Sequence, residues 1–258
     1  MKKVLVTGAS GQLGLSIQEI YLQFPNLKFS FLNSNQLDIT NNELVEDIFE
    51  NGKFDYCINC AAYTNVEQAE KTPKIAYQIN GEGVKNLARA CKNYNVSLIH
   101  ISTDYVFDGD KKEPYSIYDI PKPINEYGKS KLLGENHIKN LLNNYFIIRT
   151  SWLYSKTYGN NFYRTILERA KKGDRLNITD QQIGCPTNAL NLALYILNNL
   201  VEKKINFGIV HFTDNVVMTW YQFAKNIITE NNLEDRVILL KAENYLTFAR
   251  RPKNSVLI

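Results

Sequence analysis

Long apolar runs are absent from this 258-residue sequence. No segment approaches the ~18 apolar residues that a membrane span needs, so no membrane partner is expected. Met1-Lys2-Lys3 carries the charge of a secretion-signal start, but Val4-Leu5-Val6 is too short an apolar run before Thr7-Gly8. The expected compartment is the cytoplasm. An excess of one charge is also missing. The 30 Lys and Arg are set against 26 Asp and Glu, a net of +4. No basic run is interleaved with stacking aromatics, so nucleic acid is not an expected partner. Histidine is scarce: His100, His137 and His211 lie too far apart for a metal cluster, and no metal is expected. The four cysteines are Cys57, Cys60, Cys91 and Cys185. Cys57 and Cys60 form a C-x-x-C, yet they sit in Phe54-Asp55-Tyr56-Cys57-Ile58-Asn59-Cys60-Ala61-Ala62, which reads as a buried strand. Residues three apart on a strand face opposite sides of the sheet, whereas a redox pair needs both sulfurs at a helix N-terminus. Plain core cysteines in a reduced compartment are the reading.

What is present is ordinary for a globular chain: 44% hydrophobic, 22% charged and 12% aromatic residues, enough to bury a sizeable core. Lys3-Val4-Leu5-Val6-Thr7 is a short β-branched apolar run, and Gly8-Ala9-Ser10-Gly11-Gln12-Leu13-Gly14 follows at once. Leu13, Ile17, Ile20, Tyr21 and Phe24 then recur at helical spacing. Strand, glycine turn and helix in that order make a dinucleotide-binding entry. Gly8 allows the tight turn, Gly11 a close approach to a diphosphate, and Gly14 close packing of helix on strand. The free N–H groups at the helix start face the phosphates.

Leu27-Lys28-Phe29-Ser30-Phe31-Leu32 reads as a second strand. An acid at its end would hold the adenosine ribose and select NAD. Asn33-Ser34-Asn35 stands there instead, with neither an acid nor a basic clamp, so NADPH is preferred and NADH remains usable. Thr40, with Glu43 three residues on, predicts a capped helix, and Asp38 could accept from the adenine amino group. Residues 54–60 form a third strand, with Ala61-Ala62-Tyr63-Thr64 at its carboxyl end, where ligands sit in such sheets. Pro73 opens a long helix to about residue 94, within which Asn80 braces the active-site loop. Residues 96–102 are a fourth strand ending at Thr103. This alternation predicts a parallel α/β fold.

Residues 101–131 carry the chemistry. Tyr127 and Lys131 are four apart and share one face of a helix. An ammonium beside a phenol favours the phenolate and is expected to lower the Tyr127 pKa. Thr103 can hold a carbonyl against that phenol, which makes a site for carbonyl reduction or alcohol oxidation. The structural alternative is an exposed Tyr–Lys pair on a helix, since the chain has 16 Tyr.

The combination of Thr7-Gly8-Ala9-Ser10-Gly11-Gln12-Leu13-Gly14, Asn59-Cys60-Ala61-Ala62-Tyr63-Thr64-Asn65-Val66-Glu67, Ser102-Thr103-Asp104-Tyr105-Val106-Phe107-Asp108-Gly109 and Tyr127-Gly128-Lys129-Ser130-Lys131 resembles the extended short-chain dehydrogenase/reductases. Within them it is similar to the branch that reduces dTDP-linked 4-dehydro sugars. Arg149-Thr150-Ser151-Trp152, Gly184-Cys185-Pro186-Thr187 and Arg250-Arg251-Pro252-Lys253-Asn254-Ser255 continue the match. The resemblance implies a Rossmann-like doubly wound parallel sheet with a smaller C-terminal α/β substrate lobe. It implies NAD(P)H-dependent reduction of the 4-keto group of dTDP-4-dehydro-L-rhamnose, a nucleotide sugar, to dTDP-L-rhamnose. Thr103, Tyr127 and Lys131 would be catalytic, with Tyr127 the proton donor and Lys131 on the nicotinamide ribose. Gly8, Ser10, Gly11, Gln12, Leu13, Gly14, Asp38, Ile39, Ala62, Tyr63 and Thr64 would line the cofactor together with Tyr127 and Lys131. Thr103, Asp104 and Trp152 would meet the sugar, and Arg251 or its neighbour Arg250 the nucleotide diphosphate.

The expected division is 1–155 as the dinucleotide-binding part, rejoined by part of 185–212, and 156–258 as the substrate lobe. Within the lobe Trp220, Phe223 and Ile227 at helical spacing read as core. Some family members dimerise through a metal held by Glu. The matching positions here are Ser16 and Leu190, so a metal-bridged dimer is not expected, and the chain is a monomer or a homodimer. Family members also continue past the Arg-Pro-x-x-Ser segment, so a truncated lobe or one that closes differently is expected. Related dehydratases carry two acids after the catalytic Thr, whereas Asp104 is followed by Tyr105. Epimerases fit residues 102–109 and 184–187 less well. A non-catalytic binding subunit is disfavoured by the intact Thr103, Tyr127 and Lys131.

Overall fold

The computed structural model describes residues 1–203, 206–242 and 246–258. Six strands form one parallel sheet: β1 (Lys2–Thr7), β2 (Leu27–Leu32), β3 (Tyr56–Asn59), β4 (Ser97–Thr103), β5 (Tyr145–Thr150) and β10 (Gly208–His211). Their spatial order is β2-β1-β3-β4-β5-β10. The chain leaves β1 to one side for β2 and returns on the other side as β3. A crevice therefore opens at the carboxyl ends of β1 and β3. The register sets Thr7 beside Asn59, Asn59 beside His100, and Thr103 beside Thr150.

Both faces of this sheet are covered, which is why its strands are nearly continuous apolar runs. Successive residues alternate between the two cores. Val4, Val6, Ile58, Ile99 and Ile148 pack with α1 (Gln12–Ile20) and α8 (Ala189–Tyr195) on one side. Leu5, Cys57, Leu98 and Ile147 pack on the other with α2 (Asn42–Gly52), α5 (Val84–Asn93) and α6 (Glu126–Leu141). Each Val, Leu or Ile so buried contributes about 1.5–3 kcal/mol.

Two local expectations need correction. The α2 cap is Asn41, whose side chain accepts from the Leu44 N–H, and not Thr40. The Asp38 carboxylate takes both the backbone N–H and the hydroxyl of Thr40, so Thr40 is spent one residue too early. The long helix from residue 73 is also not uniform. After α3 (Val66–Lys71), α4 (Pro73–Tyr77) runs through a π-helical turn, Gln78–Gly83, into α5. Asn80 lies inside that turn, and such turns gather at functional places.

The second layer holds α7 (Phe162–Lys171) and α9 (Trp220–Glu230) against a parallel pair, β7 (Arg175–Thr179) and β12 (Ile238–Ala242). Tyr163, Ile166, Leu176, Phe223 and Ile227 form its own core. Short pairs stitch it to the sheet: β6 (Leu153–Tyr154) with β9 (Thr187–Asn188), and β8 (Ile183–Gly184) with β11 (Met218–Thr219). Among the described residues no helix is long and apolar enough to cross a membrane.

Candidate active site

A cavity of about 540 Å³ lies at the β1/β3 crevice. Gly11, Gln12 and Leu13 form one wall. Gly8 sits at φ 61, and a side chain there would meet the Ala61 backbone at 2.6–2.7 Å. Only glycine lets the β1 turn lie this close to the loop after β3. Gly11 caps α1 without a side chain over its N–H groups. Ala61, Ala62 and Thr64 continue the wall. The loop they occupy is clamped by Asn80, whose amide oxygen accepts from the Tyr63 N–H at 2.9 Å and whose amino group donates to the Tyr63 carbonyl at 3.0 Å. The same amino group lies 3.0 Å from the Ser130 hydroxyl on α6. Asn80 thus ties the loop to the helix of Tyr127 and Lys131, the bracing expected of it.

The far wall carries Thr103, Asp104, Tyr127 and Lys131, with Trp152, Trp220 and Arg251 above. The α6 helix starts at Asn125, whose side chain accepts from the Gly128 N–H at 2.7 Å and donates to the Arg250 carbonyl at 2.9 Å. This cap places Tyr127 in the first turn. Burial is the largest influence on its phenol and pushes the pKa up, while a hydrogen bond with the Thr103 hydroxyl works against the rise. Lys131 does not reverse it. The expected lowering of Tyr127 by the ammonium is therefore not met: Lys131 is not among the influences on the phenol, and its Nζ donates to the Ile101 carbonyl at 2.6 Å. Burial brings the Lys131 pKa down to about 8, against the opposing pull of Glu135 and Cys60.

Asp104 is buried, and its burial raises its pKa to about 6, opposed by hydroxyls of Ser255, Ser151 and Thr103. Behind this wall, Glu135 accepts from Arg149 through two bonds of 3.0 and 2.7 Å and from the Ser102 hydroxyl at 2.6 Å. That buried ion pair fixes α6 on β4 and β5.

Trp152 sits at φ 46, a region a bulky side chain rarely occupies. Its ring packs so closely on Gly184 that an added methyl would lie 2.5 Å away. Arg251 lies between the main cavity and a second hollow of about 280 Å³, which Phe162, Ile178, Thr179, Gln182 and Trp220 also line. Arg251 bonds to Glu67 at 2.8 Å. Glu67 also accepts the backbone N–H groups of Phe248 and Ala249, holding the final segment over the crevice.

Of the residues singled out in the sequence, Gly11, Gln12, Leu13, Ala62, Thr64, Thr103, Asp104, Tyr127, Lys131, Trp152 and Arg251 line the main cavity. Gly8 and Ser10 belong to the turn behind it, and Gly14 lies in the first turn of α1, packed against Ala9. Asp38 is exposed and Ile39 buried in the sheet core, both beyond the wall. Tyr63 contributes its backbone to the Asn80 clamp. Arg250 is exposed and offers a carbonyl to Asn125, so Arg251 is the inward member of the pair. Three residues escaped the sequence reading. Trp220 packs on its core but also walls both hollows, Asn59 lines the cavity floor, and His100 lies behind Lys131. Trp220 carries the same helical spacing as a core residue, and single polar residues inside strands give no pattern.

The fold and this cluster define a nicotinamide-dependent oxidoreductase of the short-chain type. The chain belongs to the family described as the RmlD substrate binding domain, whose model matches residues 1–258. It is 39% identical over 267 residues to a dTDP-4-dehydrorhamnose reductase of Aggregatibacter actinomycetemcomitans, covering 100% of this chain and 90% of that one. It is 37% identical to the spore coat polysaccharide biosynthesis protein SpsK of Bacillus subtilis, over 100% of this chain and 89% of that one. The crystal structure of dTDP-4-dehydrorhamnose reductase from Bacillus anthracis in complex with NADP superposes with a TM-score of 0.94 at 40% identity, covering 100% of this chain and 91% of that one. A Thermus thermophilus UDP-glucose 4-epimerase, 20% identical over 99% of this chain and 90% of that one, shares the fold with a TM-score of 0.82.

Proposed function

We propose that this protein reduces the 4-keto group of dTDP-4-dehydro-L-rhamnose to dTDP-L-rhamnose for polysaccharide synthesis. NADPH is the preferred cofactor and NADH is usable. The observation that carries the reading is the convergence of Thr103, Tyr127 and Lys131 on the cavity that also receives the uncapped start of α1. The residues fit a dinucleotide: the Gly8–Ala61 approach and the bare N–H groups of α1 suit a diphosphate. Gly11, Gln12 and Leu13 would hold it, Ala61 and Ala62 leave room for a flat ring, and Lys131 lies where a ribose hydroxyl can reach it. The bound nicotinamide supplies the hydride.

The protein does the rest. Thr103 and Tyr127 donate to the sugar oxygen, on which negative charge builds as the carbonyl is reduced. Tyr127 then delivers its proton to that oxygen. A phenol with a raised pKa suits this direction, because it is protonated at the start of the step. Trp152 packs on the sugar and Asp104 faces its hydroxyls. Arg251 meets the nucleotide diphosphate, and the second hollow, lined by Phe162, Ile178 and Trp220, takes the nucleoside. The same reading makes 1–155 with part of 185–212 the dinucleotide-binding part and 156–258 the substrate lobe, in a monomer or homodimer.

The test is cofactor oxidation, with NADPH and NADH in parallel, on dTDP-4-dehydrorhamnose generated in place. Oxidation that depends on the sugar, is faster with NADPH and disappears in Tyr127→Phe is the expected result. No oxidation by protein that binds NADPH overturns the reading.

A further inference from the structure

Behind Lys131 lies a buried polar chain that the reaction as described does not use. Asn59, at the end of β3, accepts from the Thr7 hydroxyl at 2.7 Å and from the Ala61 backbone N–H at 3.1 Å, both through Oδ1. A backbone N–H can only donate, so that atom is the amide oxygen. The Asn59 amino group is then fixed, and it points at His100 Nδ1, 3.0 Å away. An amino group can only donate, so Nδ1 accepts and carries no proton. The single proton of a neutral imidazole must sit on Nε2. His100 Nε2 lies 3.4 Å from Lys131 Nζ. His100 is buried completely, and burial, then the charge of Lys131, holds its pKa well below the ordinary histidine range.

An ammonium has three donors and no acceptor. Facing Nε2–H it makes a donor-to-donor contact, whereas a neutral amine would accept that hydrogen. The pocket around Nζ therefore matches the uncharged lysine on the His100 side. The other groups facing Lys131 are accounted for. Glu135, one turn along α6, favours the ammonium but is shared with Arg149 of β5. Cys60, at the end of β3, has its thiol pushed up by burial. Tyr127 lies one turn back on α6, and Ile101 of β4 offers only a carbonyl.

We infer that His100, locked by Asn59 as its Nε2–H tautomer, is a positioning residue that opposes the charge on Lys131 and so sets the pH above which the site loses the ammonium beside Tyr127. This rests on the reductase reading, in which Lys131 is the cation of the site. Activity that needs the ammonium falls as pH rises through the Lys131 pKa, which lies near about 8.

The first test does not involve turnover. In protein labelled with ¹⁵N-histidine there are three imidazoles to assign, and His100→Asn removes the one of interest. The expected spectrum shows His100 neutral and protonated on Nε2 from pH 6 to 9. A proton on Nδ1, or an imidazolium at pH 7, overturns the inference whatever the enzyme reduces. The second test is the alkaline limb of kcat/KM. In Asn59→Asp a carboxylate faces Nδ1 and moves the ring proton there, leaving Nε2 to accept from the ammonium. His100→Asn keeps an acceptor for Asn59 and removes Nε2–H. In each folded variant the limb moves to higher pH, by about one unit or more for Asn59→Asp, the scale of a nearby charge or hydrogen bond. A limb that stays in place or moves down overturns the inference. Absence of any turnover with this sugar in the wild type, with the Nε2–H tautomer intact, counts against the reductase reading and leaves the lock itself standing.

Discussion

Trp152 lies flat on Trp220, with ring centroids 3.5 Å apart and planes within 8°. One ring follows β5 of the main sheet and the other opens α9 of the second layer, so the stack bridges the two layers over the site. The indole N–H of Trp220 donates to Gln182 at 3.0 Å, which fixes the ring's rotation.

Removing one side of that stack exposes its role. Trp220→Ala is expected to raise the KM or Kd for the nucleotide sugar about 3- to 10-fold, the scale of an aromatic pair beyond its buried area. NADPH affinity should stay within about twofold, since the ring packs on Trp152 and Phe162 rather than forming part of the glycine turn. Calorimetry with each ligand separately makes the comparison.

Tyr127→Phe removes one oxygen from a ring that also packs edge-on against Tyr105 at 5.9 Å. The packing survives and the proton does not. The expected loss in kcat is on the order of 10²–10⁴, with NADPH binding retained by fluorescence titration. Near wild-type turnover would remove Tyr127 from the mechanism.

Asp104 makes stability depend on pH in an unusual sense. Its folded pKa, near about 6, lies above the ordinary 3.8 because burial disfavours the anion. Below the ordinary value both states hold the proton and there is no penalty. Between the two values the unfolded chain ionises first, so stability is lost as pH rises, and above about 6 the penalty is complete. Its size is on the order of 2–3 kcal/mol for a shift of this magnitude. Asp104→Asn should therefore gain stability relative to wild type between pH 4 and 7.5 in urea titrations. A difference independent of pH would contradict the assignment.

The Glu135–Arg149 pair is a sharper test of the framework. Glu135→Leu alone leaves a buried guanidinium and should cost about 3–5 kcal/mol, whereas Glu135→Leu with Arg149→Met should recover much of that. Equal losses in single and double variants would mean that the pair is not what holds α6 to β5.

Much of this site was legible because it is local. Strand, glycine turn and helix lie within residues 2–20, and Tyr127 and Lys131 are fixed on one face by helical spacing alone. What that spacing could not tell was where the lysine's end points. The Ile101 carbonyl that captures it lies 30 residues away, and only the sheet brings it near. Asn59 and His100 are isolated polar letters in apolar strands, and their pairing 41 residues apart is a product of register. Trp220 was read correctly as core, and its cavity-lining face was hidden for another reason: a helix turns the same apolar stripe to a core and to a cavity that opens beside it. The capping error at Thr40 was one of neighbours, since Thr40 and Asn41 are both competent caps and the Asp38 side chain decides between them.

The Asn125 carboxamide has a consequence of its own. With its oxygen it starts the helix of Tyr127, and with its nitrogen it holds the Arg250 backbone next to Arg251. The start of α6 and the segment of Arg251 are thus set from one fixed point. A shift of that segment is passed on to the helical turn that carries Tyr127.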